Sequence, residues 1–354
     1  MRTSTLLTVL VLALVSPSQA QNTNSAAETV LRLEVVSGSN QPLIKPGDPG
    51  TEAIEMGLEG GTVIKQTGIY HLFTAETIRE PLYAHMRLGY WTSTNTTQWT
   101  RRTTLFESDG DYTGKSTRAS LWSPMPIYND AEQRWNLFYV AYRAKPNDSS
   151  GWYLGYDGRI WRAVSQTPGR MGLGGPYRDA EVVLQRGPES QPWEGLQGVD
   201  SFFPFRVGKK WYAFYGSAHT ELPPNTNYPK WAVGLADGPR LAGSWKRCQD
   251  GNPVILNLAF TENPVVSRLD SGAYVALIDG GGHWGYSVSR DGLHWSQASF
   301  PQMTPPLKAW WRSMRTPLSL IKEDDGTYTV FFTAFINDSP FAGLGKASVR
   351  VVRN

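Results

Sequence analysis

The sequence predicts an all-β fold, a five-bladed β-propeller with four antiparallel strands per blade. Three observations carry this. Turn formers and aromatics are both abundant, with 35 Gly and 24 Pro beside 14 Trp, 16 Tyr and 13 Phe in 354 residues. An aromatic-rich apolar strand, preceded by a turn and a shorter apolar strand, recurs five times. No long amphipathic helical run interrupts the series, and the spacing of about 54 to 76 residues suits a four-stranded blade with extended loops.

The elements follow in order. Met1-Arg2, an apolar run from Leu6 to Val15 and the small residues Ser18 and Ala20 describe a secretory signal peptide over residues 1–20. The run is shorter than the roughly 20 residues that span a bilayer. An exported chain starting near Gln21 is expected, secreted or, in a bacterium, periplasmic. Residues 21–50 are polar and turn-rich, an N-terminal leader or a strand that completes the fold. Residues 51–354 form the propeller.

Within it, "GTVIKQ" (61–66) turns into "GIYHLFTA" (68–75), and "PMPIYND" (124–130) into "RWNLFYVAY" (134–142). The third pair is "SFFPFRV" (201–207) and "KWYAFYGSA" (210–218), and the fourth "NPVVSRL" (263–269) and "GAYVALID" (272–279). "TPLSLIKE" (316–323) and "GTYTVFFTA" (326–334) make the fifth. The links "KQTG", "RVGK", "RLDSG" and "KEDDG" are hairpin turns. Further out, "LGYWTSTNTTQW" (88–99) and "WGYSVSRDGLHW" (284–295) share Ser93, Asn95 and Trp99 with Ser289, Asp291 and Trp295 at identical spacing, and residues 231–245 give a looser copy. Closing five such blades into a ring removes the exposed edges of an open sheet.

In a propeller the first strand of each blade lines the central channel. The positions just ahead of the five copies hold Glu59, Trp122, Asp200, Glu262 and Arg315. Three carboxylates and an arginine, far apart in the chain, are therefore expected at one channel mouth. Like charges within a few Å raise one another's pKa, so a fold normally avoids such a cluster. Glycoside hydrolysis requires one, because one carboxyl must donate a proton while another, ionised, activates water or attacks. The bland reading of each residue taken singly is a surface carboxylate capping a strand.

The pattern resembles the five-bladed propeller glycoside hydrolases, the arabinanases and β-xylosidases of the family 43-type clan, with invertases and levansucrases as a sister clan. "GVDSFFPFRVGKKWYAFYGSA" is similar to the segment bearing that superfamily's pKa-tuning Asp, which falls on Asp200, and "TENPVV" to the one bearing its general acid, which falls on Glu262. "LWSPMPIY" resembles a Trp-Ala-Pro-Asp stretch through Trp122 and Pro124, with Met125 standing where the Asp would be. The first-blade base or nucleophile would be Glu59, followed by Gly60 where the family has Asp-Pro, with Glu76 as the fallback. The resemblance implies a secreted, monomeric glycoside hydrolase of a poly- or oligosaccharide that inverts configuration. It implies no cofactor, though some relatives hold a structural calcium in the channel. The rival reading is a non-catalytic propeller that binds a carbohydrate or a partner. A third is a fructan-acting enzyme, whose Trp-Met-Asn-Asp-Pro start is absent.

Substrate contacts are expected from Trp122, from Trp311 beside Trp310, from His283 and Trp284 in "DGGGHWGY", and from Arg315, which would pair with Glu59 or Asp200 or hold a substrate group. A satisfied structural histidine is an equal reading of His283, and His71 reads as core. Three sequons, at Asn95, Asn147 and Asn337, would carry glycans in a eukaryote. Cys248 is the only cysteine, so no disulfide closes within the chain. The net charge of +3 comes without long charge runs, which leaves no footprint for nucleic acid or an anionic membrane. No zinc, EF-hand, phosphate-loop or dinucleotide motif appears, so no metal site is expected.

Overall fold

The computed structural model describes residues 31–81, 84–146, 155–218, 231–257, 259–301 and 310–353. The expected signal peptide, the start near Gln21 and the Asn147 sequon lie outside them. Among the described residues the chain is all-β, and its one helical element is a 3-10 turn at Arg170–Gly174.

Strand β1 (Leu31–Gly38) is followed by an antiparallel meander of β2 (Gly57–Gln66), β3 (Ile69–Thr77), β4 (Met86–Ser93) and β5 (Thr100–Glu107). A second meander holds β6 (Ser120–Asn129), β7 (Arg134–Ala144), β8 (Gly155–Ser165) and β9 (Tyr177–Gln185). The third comprises β10 (Asp200–Val207), β11 (Lys210–Ala218), β12 (Trp231–Gly238) and the short β13 (Lys246–Arg247). The fourth is a three-stranded sheet of β14 (Glu262–Arg268), β15 (Tyr274–Asp279) and β16 (Trp284–Ser289). In the place of a fourth strand, Tyr286 and Ser299 form a single bridge. The last group is β17 (Trp311–Lys322), β18 (Tyr328–Ile336) and β19 (Ala342–Arg353).

The outer strand of that last group comes from the other end of the chain. β1 pairs antiparallel with β19, from Leu31 opposite Arg353 to Gly38 opposite Ala347. Part of the expected leader is thus built into the sheet, and the boundary at residue 51 falls inside the folded unit. One parallel bridge between Ala342 and Gly57 joins the last group to the first in a single eight-stranded sheet.

The first strands also pack on one another in chain order: β2 on β6, β6 on β10, β10 on β14, β14 on β17, and β17 back on β2. This cyclic contact explains why the second strands are near-continuous apolar runs rather than alternating ones. Sheets cover both of their faces, and every residue of β15 is buried. Most of the aromatic excess is consumed here, with Trp91, Trp193, Tyr139, Tyr215 and Phe331 among the fully buried side chains.

The repeated Ser-x-Asn/Asp-x-x-x-Trp stretch is a turn that positions a wedge. Asn95 Oδ1 accepts the N–H groups of Thr97 and Gln98, and Asp291 Oδ1 those of Leu293 and His294. Each turn sends its tryptophan onto the preceding group. Trp99 meets Phe331 of β18 edge-on at 5.9 Å, and Trp295 lies 5.2 Å from Phe214 of β11.

Candidate active site

The five first strands share one backbone irregularity. Pairing with the second strand slips between Glu59 and Gly61, between Trp122 and Met125, between Asp200 and Phe203, and between Glu262 and Val265. In β17 a slip between Met314 and Thr316 brackets Arg315. A β-bulge inserts an extra residue, bends the strand and re-aims a side chain. Four of the bulges place the next residue in the left-handed region: Gly60 at φ 59°, Ser123 at 50°, Ser201 at 52° and Asn263 at 51°. Such values are uncommon outside glycine, and their recurrence marks a built device.

The bulge residues touch around the axis. Ser201 Oγ donates to Asn263 Oδ1 at 2.8 Å, and the Gly60 N–H reaches Thr316 Oγ1 at 3.4 Å. A Cβ on Gly60 would crowd Ser123, lying 2.8 Å from its Oγ and 3.2 Å from its backbone N, and would stand at a positive φ. The φ of 59° at Gly60 is one that a proline ring cannot adopt, so an Asp-Pro pattern does not fit this bulge.

Directly above, Glu59, Asp200, Glu262 and Arg315 line a cavity of about 200 Å³ together with Trp122. All three carboxylates are at least nine-tenths buried. The Arg315 guanidinium bonds Glu59 Oε1 through Nη2, and its Nη1 lies 3.6 Å from Glu262 Oε2. One arginine head group thus stands between the two glutamates. Asp200 is held by its own loop and by a neighbour: Oδ1 accepts the Ser201 N–H at 2.6 Å, and the Tyr142 hydroxyl donates to the carboxylate.

Burial dominates the electrostatics. It pushes Glu59 from 4.5 up to about 7, with Arg315 opposing and Asp200 adding to the rise. Burial likewise carries Glu262 well above the usual carboxylate range; Arg315 opposes, while Asp200, Asp279 and Glu59 reinforce. Asp200 is raised by the same desolvation, offset by the Ser201 N–H, Tyr142 and Arg315. The environment therefore separates the glutamates, with Glu59 the more readily ionised because Arg315 bonds it directly.

Of the residues expected in the site, Glu59, Trp122, Asp200, Glu262 and Arg315 line this cavity. The others lie elsewhere. Trp284 is buried in the hydrophobic core. The Trp311 ring packs edge-on against Phe332 at 5.9 Å, and Trp310 lies parallel to the same ring at 6.4 Å. His283 is exposed at a turn beside Asp279, where its charge lowers the Asp279 pKa. Glu76, the fallback base, is fully buried and bound by Arg87, Arg101 and Trp91, so it is no part of the cavity lining. Its side chain points to β4 and β5 rather than to the mouth, as its bonds to residues of those strands require.

Tyr142, Gln197, Trp231 and Phe260 line the cavity without having been singled out. Tyr142 and Trp231 sit at strand ends next to the mouth, and Trp231 and Phe260 form an aromatic wall with ring centres 6.2 Å apart. A register comparison of second and third strands carries the signal for Tyr142 on β7 and Trp231 on β12, whereas Gln197 and Phe260 lie in connections that no strand register covers.

No protein-family model matches the chain, and no curated protein does. Solved structures match along most of its length. That of BT0996 in an RGII complex superposes with a TM-score of 0.66 at 17% identity, covering 89% of this chain and 92% of its own. Zg3597, a family 117 glycoside hydrolase of the marine bacterium Zobellia galactanivorans, gives 0.59 at 14% identity over 91% and 90%. The α-L-arabinofuranosidase of Lactobacillus brevis gives 0.55 at 13% identity over 86% and 94%. The resemblance carried by the sequence motifs thus holds at the level of the fold: the chain has the propeller-type fold of these solved structures, glycoside hydrolases among them, and is a divergent example of it.

Proposed function

We propose that this protein is a glycoside hydrolase built on a five-bladed β-propeller, acting on a poly- or oligosaccharide outside the cell. The observation that supports it best is the convergence of Glu59, Asp200, Glu262 and Arg315, from equivalent bulges of four first strands, on one cavity. A sugar ring would occupy that cavity, with the Trp231 and Phe260 faces available to its apolar C–H surface.

Glu262 is the general acid. Protonated in its buried setting, it gives its proton to the glycosidic oxygen as the bond to the anomeric carbon breaks. Glu59, kept nearer ionisation by Arg315, takes a proton from the water whose oxygen bonds to that carbon from the opposite face, giving inversion. Asp200 stays fixed by Ser201 and Tyr142 and supports the proton on Glu262. The rival, a propeller that only binds glycans, gives no reason to gather three buried carboxylates, and their shared cavity counts against it.

The test is a screen of arabinan, xylan, galactan and algal oligosaccharides with wild type and Glu262→Gln. Hydrolysis by wild type and its loss in the variant support the reading. Binding that survives the substitution, with no turnover by either protein, establishes the rival. Proton NMR of the first-formed anomer then decides the stereochemistry, and retention would reassign Glu59 as nucleophile.

A further inference from the structure

The position across from Glu262 breaks the repeat. Residues directly opposite in an antiparallel pair share a sheet face and lie close together. Opposite Glu59 stands Ala75, opposite Trp122 Val140, and opposite Asp200 Gly216. Ala334 pairs with Met314, just ahead of Arg315. These are small or apolar residues. Opposite Glu262 stands a second carboxylate, Asp279, only 4% exposed.

Local structure is dedicated to holding it. Asp279 Oδ1 accepts the N–H of Gly281 at 2.8 Å and of Gly282 at 2.9 Å. Both glycines have φ near +90°, at 89° and 91°, where a side chain would be strained. The Gly282 carbonyl in turn accepts the Met314 N–H at 3.0 Å, which ties this turn to the strand bearing Arg315. The Gly-rich run, where substrate contacts from His283 and Trp284 were expected, wraps a carboxylate instead.

We propose that Asp279 is a positioning residue for the general acid, a fixed negative charge whose repulsion keeps the proton on Glu262. This rests on the reading of Glu262 as the acid. Two backbone donors on one oxygen favour the ionised form, and Arg315 and His283 act in the same direction, against the burial that raises Asp279. Glu262 also faces Arg315 from β17, Asp200 from β10 and Glu59 from β2, with the Tyr142 hydroxyl of β7 near enough to feel its charge. Among these, Asp279 alone is its cross-strand partner.

Carboxyl-carbon NMR titration of the wild-type protein gives a test without substrate or substitution: Asp279 must lose its proton at lower pH than Glu262, and the reverse order overturns the proposal. In Asp279→Asn the alkaline limb of the kcat/KM profile should move down by on the order of one pH unit, while Asp279→Glu, which keeps the charge, leaves it near the wild-type position. An unmoved limb in folded Asp279→Asn overturns the proposal alone if Glu262→Gln has lost hydrolysis. Undiminished hydrolysis by Glu262→Gln overturns both the acid assignment and this inference.

Discussion

Glu76 and Glu262 are both buried glutamates at strand ends, yet their surroundings are opposite. Glu76 is one carboxylate against two guanidinium groups and an indole: Arg101 Nη2 lies at 2.9 Å, Trp91 Nε1 at 2.8 Å, and Arg87 bonds it as well. Gly89 leaves the room, since a Cβ there would lie 1.9 Å from Glu76 Oε1. At the mouth, Glu59, Asp200, Glu262 and Asp279 share Arg315. The first site neutralises a buried charge that would otherwise be costly. The second leaves carboxylates under-compensated, which raises their pKa values, the kind of perturbation on which the proposed active site rests. Charge balance, more than burial, separates the two.

Replacing either glutamate by glutamine puts that contrast to its hardest test. Glu262→Gln should reduce hydrolysis by roughly 10²–10⁴-fold, the usual worth of a positioned acid, while its thermal melt stays near wild type because the amide replaces a carboxyl that burial already keeps protonated. A clear loss of stability would mean that Glu262 is structural in the way Glu76 is. Glu76→Gln should do the reverse, lowering the unfolding free energy by about 3–5 kcal/mol, as expected when one partner of a buried ion pair is removed. Denaturant titration measures it, and activity per folded molecule should be unchanged.

Gly60→Ala probes the mouth without altering charge. It forces a side chain into the left-handed region against Ser123, at a cost of about 1–3 kcal/mol, and should lower kcat through displacement of the neighbouring Glu59. Retained stability and kcat would show that the bulge tolerates a Cβ.

The smallest effect is the pH dependence of stability. Glu59 is raised from 4.5 to about 7 in the folded protein, so the fold binds its proton more tightly than the unfolded chain does. Its contribution is complete below about pH 4.5 and is lost as pH rises through about 7. Asp200, Glu262 and Asp279 shift in the same direction. The melting temperature should therefore fall by a few degrees from about pH 5 to about pH 8, and the slope should flatten in Glu262→Gln. A melting temperature that rises across this range would contradict the under-compensated cluster.

Much of the mouth was legible from the repeat. Aligning five strand pairs placed Glu59, Trp122, Asp200, Glu262 and Arg315 in one register, because a bulge recurring at one position of a repeat leaves its residues at one relative place. The same comparison carried to the second strands isolates Asp279 against Ala75, Val140, Gly216 and Ala334. Aromatic residues were harder to sort. Trp284 and Trp311 have the composition of sugar-stacking residues, but burial in one case and packing on Phe332 in the other depend on neighbouring sheets.

Local apolar patterning and turn chemistry were enough to define the strand-and-turn repeat, the all-β class and the shared register of the mouth residues. They could not say which acids are neutralised and which are left competing for one arginine. Glu76 and Glu262 look alike in the chain, and only the packing of separate strands and sheets brings Arg87 and Arg101 to one and three further carboxylates to the other. Electrostatic fate depends on distance through space, which no local pattern encodes.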